Sequence, residues 1–127
     1  MKKINKRANY VYVVGDSGPE HNFVLSIHKS YGWAIKAWNK LRQDLIKDAK
    51  RGLQYAKEEA KKNLKKGKWD YNSQSFSEED INHLKNTAAK GDEMYLEMIK
   101  NLSCKSPEKM DNYPQDTPYI KRYRIQN

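Results

Sequence analysis

A long amphipathic pattern between Ser30 and Leu64 constrains this chain more than any other feature. Apolar residues recur there at steps of three or four, the repeat of one face of an α-helix. Ser30 suits the N-cap, and Gly67 suits the left-handed residue that ends a helix. The pattern therefore predicts one helix over residues 30–66. Its apolar stripe consists of Ala34, Ile35, Trp38, Leu41, Leu45, Ala49, Leu53, Ala56, Ala60 and Leu64.

The length of this helix predicts self-association. At 1.5 Å per residue it would extend roughly 50 Å, whereas a compact chain of this size has a radius of gyration of about 14 Å. We expect its far half, beyond Ala49, to meet a partner, most simply a second copy. The chain is thus predicted to form a homo-oligomer, a dimer or a multiple of one, whose copies frame ligand cavities. Gly52 is the one weak point, costing about 1 kcal/mol relative to alanine.

Two strands are predicted before the helix, as a β-hairpin over residues 9–28. The run Tyr10–Val14 is β-branched and aromatic, which favours a strand, and residues 15–20 have the composition of a loop. Phe23, Leu25 and Ile27 then alternate with polar residues, which predicts a second strand with one buried face. We expect the stripe of the long helix to cover that face.

The second half of the chain predicts two shorter helices over residues 77–103 and a last strand over 119–125. Ser77 and Asp80 have the spacing of a capping box, and Gly91-Asp92 separates the two helices. The last strand is cationic and suits an edge of the hairpin's sheet. The prediction is a single α+β domain, 1–127, with a small antiparallel sheet packed on the long helix. Residues 1–8 form a basic arm, and 111–118 a loop.

Composition narrows the partners and the compartment. The 127 residues carry a net charge of +9, which favours phosphate-bearing partners. The lone cysteine, Cys104, excludes an internal disulfide and suits a reducing cytoplasm. Apolar runs are too short to span a membrane. The three histidines lack ligand-like spacing, so we predict no metal and no cofactor.

Mixtures of cations and aromatic rings are the candidate binding residues. Arginine grips phosphate in a bidentate fashion, and aromatic rings stack on bases. We therefore expect Arg122 and Arg124 to bind phosphate. The other predicted contacts are Lys121, Tyr123, Trp69 and Phe76. The lysines that end the long helix, residues 61–68, complement the helix dipole or else bind a nucleic acid or a protein.

A catalytic alternative comes from Gly15-Asp16-Ser17, which resembles the nucleophile block of GDS-type lipases and esterases. Asp80 and His83 have the spacing that this family uses for its other catalytic residues. The chain is too short for the alternating strand–helix sheet of that family, and the second strand predicts a hairpin instead of a parallel crossover. A serine hydrolase is therefore the remote alternative, and we predict no catalytic residues.

The strand Tyr10–Val14, followed by Ser26–Tyr31 running into a Lys/Glu-rich helix, resembles small proteins of phages that infect low-GC bacteria. Among these, the chain is similar to the Thoeris anti-defence sponges, compact oligomers that trap cyclic ADP-ribose-like signals between two protomers. The resemblance implies a non-enzymatic inhibitor of bacterial immunity that sequesters such a signal or a cyclic oligonucleotide. It assigns no binding residue here. An anti-CRISPR-type inhibitor, binding protein or nucleic acid, is the alternative.

Overall fold

The computed structural model describes residues 9–18, 20–69, 74–110 and 117–125. The predicted basic arm, 1–8, and positions 111–116 of the predicted loop lie outside the described residues. The architecture is α+β, which confirms the predicted fold class. In chain order the elements are β1 (Asn9–Ser17), β2 (Asn22–His28), α1 (Tyr31–Lys66), α2 (Glu78–Lys90), α3 (Glu93–Leu102) and β3 (Thr117–Ile125).

The three strands form one antiparallel sheet in the order β2-β1-β3. β3 pairs with β1 along its whole length, from Asn9 opposite Ile125 to Ser17 opposite Thr117. The last strand therefore returns to the hairpin and forms a cationic edge, as the sequence predicts. That edge carries Lys121, Arg122 and Arg124.

β1 is longer than predicted. Gly15, Asp16 and Ser17, expected in a loop, continue the strand because β2 and β3 both pair with them. Gly15 is buried, and a β-carbon there would collide with the Tyr119 hydroxyl and the Phe23 carbonyl. The glycine is thus explained by the close approach of its neighbours, not by a turn.

The predicted buried face of β2 is wrong. Phe23, Leu25 and Ile27 are 65%, 60% and 62% exposed. For Ile27 the register gives the reason: Ser26 lies opposite Val14, which faces α1, while Ile27 lies opposite Val13 on the other side of the sheet. β2 is also an edge strand, and the core contacts of α1 fall on β1 and β3.

The chain divides into two compact units, the first made of residues 1–45 and 101–127. Its core is formed by the buried side chains of Val14, Ala34 and Trp38. The Trp38 indole donates a hydrogen bond, 2.9 Å long, to the Pro118 carbonyl. This bond ties the first part of α1 to β3. Partly buried residues around the core are Tyr12, Ile35, Ala37, Leu41, Met110 and Ile120.

The second unit, residues 46–100, contains the far part of α1 with α2 and most of α3. The Tyr95 ring lies against Gly52, where a β-carbon would stand 2.5 Å from a ring atom, and Leu53 packs on Gly91. Gly52 therefore makes room for an aromatic ring. The far half of α1 has packing partners within its own unit, so its length alone does not require a second copy. Self-association stays a prediction.

The predicted helix boundaries at Gly67, Ser77 and Gly91-Asp92 are confirmed. Gly67 has a φ of 72°, and its N–H donates to the Asn63 carbonyl. Ser77 and Asp80 form a reciprocal capping box at the start of α2. Asp92 accepts a hydrogen bond from the Met94 N–H at the start of α3.

Candidate functional site

The basic residues of β3 divide between the two faces of the sheet. Side chains alternate along a strand, so Arg122 and Arg124 share one face, and Lys121 and Tyr123 share the other. Arg122 lies opposite Tyr12, on the side that α1 covers. The cluster predicted on this strand is therefore two separate pairs.

Arg122 stacks its guanidinium on the Tyr10 ring, with 4.3 Å between the guanidinium carbon and the ring centroid. Stacking uses the flat face of the group and leaves its N–H edge for hydrogen bonds. The ion pairs found among the described residues do not include Arg122. It is therefore an oriented cation with donors to offer.

Arg122 lines a cavity of about 280 Å³ in the first unit. The lining comes from β1, the start of α1, the segment after α3, and β3. Glu108 and Tyr31 are surface-exposed residues, so the cavity communicates with solvent. The cavity residues are Tyr12, Tyr31, Pro107, Glu108, Ile120 and Arg122.

Two tyrosines form the aromatic part of this cavity. The rings of Tyr12 and Tyr31 meet edge to face, with centroids 5.4 Å apart and planes 71° apart. Burial raises the pKa of the Tyr31 hydroxyl above its usual 10.0, and the Glu108 carboxylate raises it further by its charge and by accepting the hydroxyl's hydrogen bond. Tyr31 is thus a neutral donor at physiological pH and orients the carboxylate.

The cavity therefore combines three kinds of contact within one small volume. Arg122 offers donors for an anion, Glu108 offers acceptors for N–H groups, and Tyr12, Tyr31 and Ile120 offer aromatic or apolar surface. A formal positive and a formal negative charge are both present, which suits a ligand that carries an anionic group and N–H donors at different positions.

The other predicted site residues lie elsewhere. Lys121 reaches over the Tyr119 ring, its amino group 5.0 Å from the centroid, and Tyr123 is exposed. Trp69 and Phe76 belong to the second unit, where their rings meet edge to face at 4.6 Å. They lie on a short segment held by the bridge between Lys68 and Ser75. Arg122 is the predicted site residue that lines the cavity.

The residues of the catalytic alternative occupy structural positions. Ser17 is the last residue of β1 and pairs with Asn22 and Thr117, so it does not sit on a strand-to-helix turn. Asp80 belongs to the α2 capping box, where the hydrogen bond from the Ser77 backbone holds its pKa below the usual value. Asp80 accepts a hydrogen bond from the Ser77 N–H and donates its own N–H to the Ser77 hydroxyl, and both bonds cap the helix.

Sequence reasoning missed Tyr12, Tyr31 and Glu108. One available signal was the spacing of Tyr10 and Tyr12, two residues apart on β1. This spacing places both rings on one face of the sheet, the face that also carries Arg122 of β3. Glu108 gave no signal, because its segment has no periodic pattern. The sequence also predicted cavities framed by two copies, which stays a prediction.

No protein-family model, curated protein or solved structure matches this chain. Among the described residues, no three His, Cys, Asp or Glu side chains are grouped to hold a metal ion. No helix in the described ranges is long and apolar enough to cross a lipid bilayer.

Proposed function

We propose that the cavity binds a nucleotide-type ligand and that the chain acts by binding, not by catalysis. The observation that carries this proposal is the presence of Arg122, Glu108 and the two tyrosines in one cavity. Arg122 would hold the phosphate, for which a guanidinium is well suited. Glu108 would accept hydrogen bonds from the base.

The carboxylate narrows the ligand class. A base must present N–H donors to pair with Glu108, and guanine presents two adjacent donors on one edge, which a carboxylate accepts together. The cavity volume of about 280 Å³ lies just below the usual range for ligand sites. A single base with its sugar is the matching size. A cyclic ADP-ribose-like compound or a cyclic oligonucleotide would be larger than the cavity and would extend into solvent.

We propose a phage anti-defence setting because the first half of the chain resembles small phage proteins. A phage-encoded binding protein that sequesters a nucleotide signal in the host cytoplasm needs no catalytic residue, and its effect depends on affinity and abundance. The net charge of +9 favours encounters with anionic ligands and raises their association rate.

The test is titration calorimetry with guanosine monophosphate, guanosine, adenosine monophosphate, cyclic ADP-ribose and a cyclic dinucleotide. We expect Arg122→Ala to weaken binding of the monophosphate at least tenfold and to affect guanosine much less. Arg124→Ala is the matched control: it removes the same charge from the same face of β3, outside the cavity lining. Glu108→Gln should reduce the preference for guanine over adenine.

Heating the complex to release the bound nucleotide, followed by mass spectrometry of that nucleotide, distinguishes binding from turnover. A sequestering protein returns the nucleotide intact. The absence of binding at millimolar ligand, equal losses in the Arg122 and Arg124 variants, or a chemically altered nucleotide would each contradict the proposal.

The lysine-rich end of α1 supports a second candidate, the binding of a nucleic acid or an acidic protein. Lys61, Lys62 and Lys65 are exposed there. Lys62 pairs there with Glu59, a surface residue, at 3.7 Å. A gel shift with DNA or RNA that falls steeply between about 50 and 200 mM salt would favour this candidate.

A further inference from the structure

β2 is an edge strand that lacks the charged residues and prolines that usually protect one. Phe23, Val24, Leu25 and Ile27 are 58–65% exposed, and no residue from Asn22 to Ile27 is charged. Proteins usually place lysine, proline or very short strands at such edges to prevent pairing with another chain. The opposite edge, β3, carries Pro118 and Lys121.

From this contrast we propose that β2 pairs antiparallel with β2 of a second copy, which joins the two sheets into one of six strands. A pair of identical strands related by a twofold axis is self-complementary. Apolar side chains of each copy then lie beside those of the other on both faces of the sheet, which is the stabilising contact of paired strands.

Charge determines which edge can pair. Each copy has a net charge of +9, so two copies approach closely only through surfaces without cations. β2 is uncharged from Asn22 to Ile27, whereas pairing through β3 would bring six cationic side chains together, three from each copy. Since the β3 edges stay outermost, the assembly ends at a dimer and does not extend into a fibre.

The β-bulge in β2 determines the register. Val14 lies opposite Ser26 and Gly15 opposite Val24, so Leu25 is the extra residue. A bulge interrupts regular pairing, and two copies tolerate it best where their bulges coincide. The register centred on Leu25 meets this condition and places Leu25 of the two copies directly opposite each other.

The exposed area fits a dimer of modest affinity. Four large apolar side chains exposed by more than half present roughly 400 Å² per copy, within the range of patches that mark interaction sites. A standard interface covers about 800 Å² per partner. We therefore expect association at micromolar concentrations.

Sedimentation equilibrium between about 1 and 200 μM protein tests the dimer. The mass should rise from 15.0 kDa toward twice that value with concentration. Leu25→Lys should hold it at the monomer value throughout the range. Ile125→Lys, a matched change at a 41% exposed position on the β3 edge, should leave the dimer intact. A monomer at every concentration, or equal loss of the dimer in both variants, would overturn the proposal.

Cysteine cross-linking tests the register without adding charge, in case Leu25→Lys fails to fold. In a Cys104→Ser background, Leu25→Cys should form an intermolecular disulfide on mild oxidation, because paired residues across the axis lie within disulfide reach. Ile125→Cys in the same background should not. Cross-linking through Ile125→Cys, or none through Leu25→Cys, would overturn the proposed pairing. Neither experiment depends on the nucleotide proposal, so each hypothesis can fail without the other.

Discussion

At the scale of single residues, the fold depends on a few side chains with two functions. Trp38 is fully buried in the core of the first unit, and its indole N–H also satisfies the Pro118 carbonyl. Arg42, buried four residues later, donates to the Leu102 carbonyl at 2.8 Å. That carbonyl belongs to the last turn of α3, where helix carbonyls lack internal partners and a cation is favoured. The helix end that it caps therefore offsets part of the cost of burying this charged group.

The two glycines with positive φ among the described residues should differ in how much stability is lost when each is replaced by alanine. Gly91 combines a φ of 93° with a ψ of 178°, a conformation that is nearly exclusive to glycine, and Leu53 packs directly on it. Gly67 has a φ of 72° and open space around it. We expect Gly91→Ala to lower the free energy of unfolding by about 3 kcal/mol or more, from strain and collision together. Gly67→Ala should cost only about 1–2 kcal/mol, because strain acts alone.

Urea denaturation of the two alanine variants measures this difference. The change in midpoint, with the slope unchanged, reports the loss of stability. If both variants lost the same amount, the contact between Leu53 and Gly91 would make no energetic contribution.

At the scale of elements, helix boundaries are fixed by short-range hydrogen bonds. The capping box of α2 pairs the Ser77 N–H with the Asp80 carboxylate at 3.0 Å, and the Asp80 N–H with the Ser77 hydroxyl at 3.1 Å. Both bonds join residues that are three positions apart in the sequence. For this reason the start of α2 can be predicted from the sequence.

The Asp80 carboxylate should make α2 sensitive to acid. The backbone hydrogen bond from Ser77 holds the pKa of Asp80 below its usual 3.8, with smaller contributions from the Trp69 and His83 side chains. A carboxyl whose pKa is lower in the folded state stabilises the fold above its unfolded pKa, and this contribution is lost as pH falls through the folded value. Asp80→Ala should therefore be less stable than the parent at pH 7, and the difference should narrow toward pH 2.

Urea denaturation at pH 7, 4 and 2, followed by circular dichroism, measures this dependence. Glu79→Ala is the matched control, because Glu79 lies in the same first turn and takes no part in the capping box. A difference between parent and Asp80→Ala that is constant across this pH range would contradict the assignment.

At the scale of the whole molecule, charge repulsion opposes compactness. The net charge is +9, and exposed ion pairs such as Lys40–Asp44, at 2.9 Å, contribute little stability in water. We expect the melting temperature to rise when sodium chloride increases from about 10 to 200 mM, since screening reduces repulsion over distances near 10 Å. Differential scanning fluorimetry at one protein concentration measures the shift.

An uncharged osmolality control, such as glycine betaine at matched concentration, separates screening from general solute effects. A melting temperature that fell with salt would mean that the ion pairs outweigh the repulsion.

Local patterns in the sequence determined the elements of this protein. The periodicity of α1, the cap at Ser77 and the breaks at Gly67 and Gly91 act within one or two helical turns, so they can be recognised without knowledge of the fold. The β-branched run of β1 and the alternation in β3 are local in the same sense. The cationic character of β3 likewise predicted an edge strand.

Only the tertiary structure decided which faces are buried and where the cavity lies. β2 alternates as a half-buried strand does, yet its pairing with β1 turns Ile27 away from the core, because register is a property of two strands together. The cavity joins Tyr12, Glu108 and Arg122 across more than a hundred residues of sequence. Such contacts depend on how the elements pack, and no local pattern encodes them.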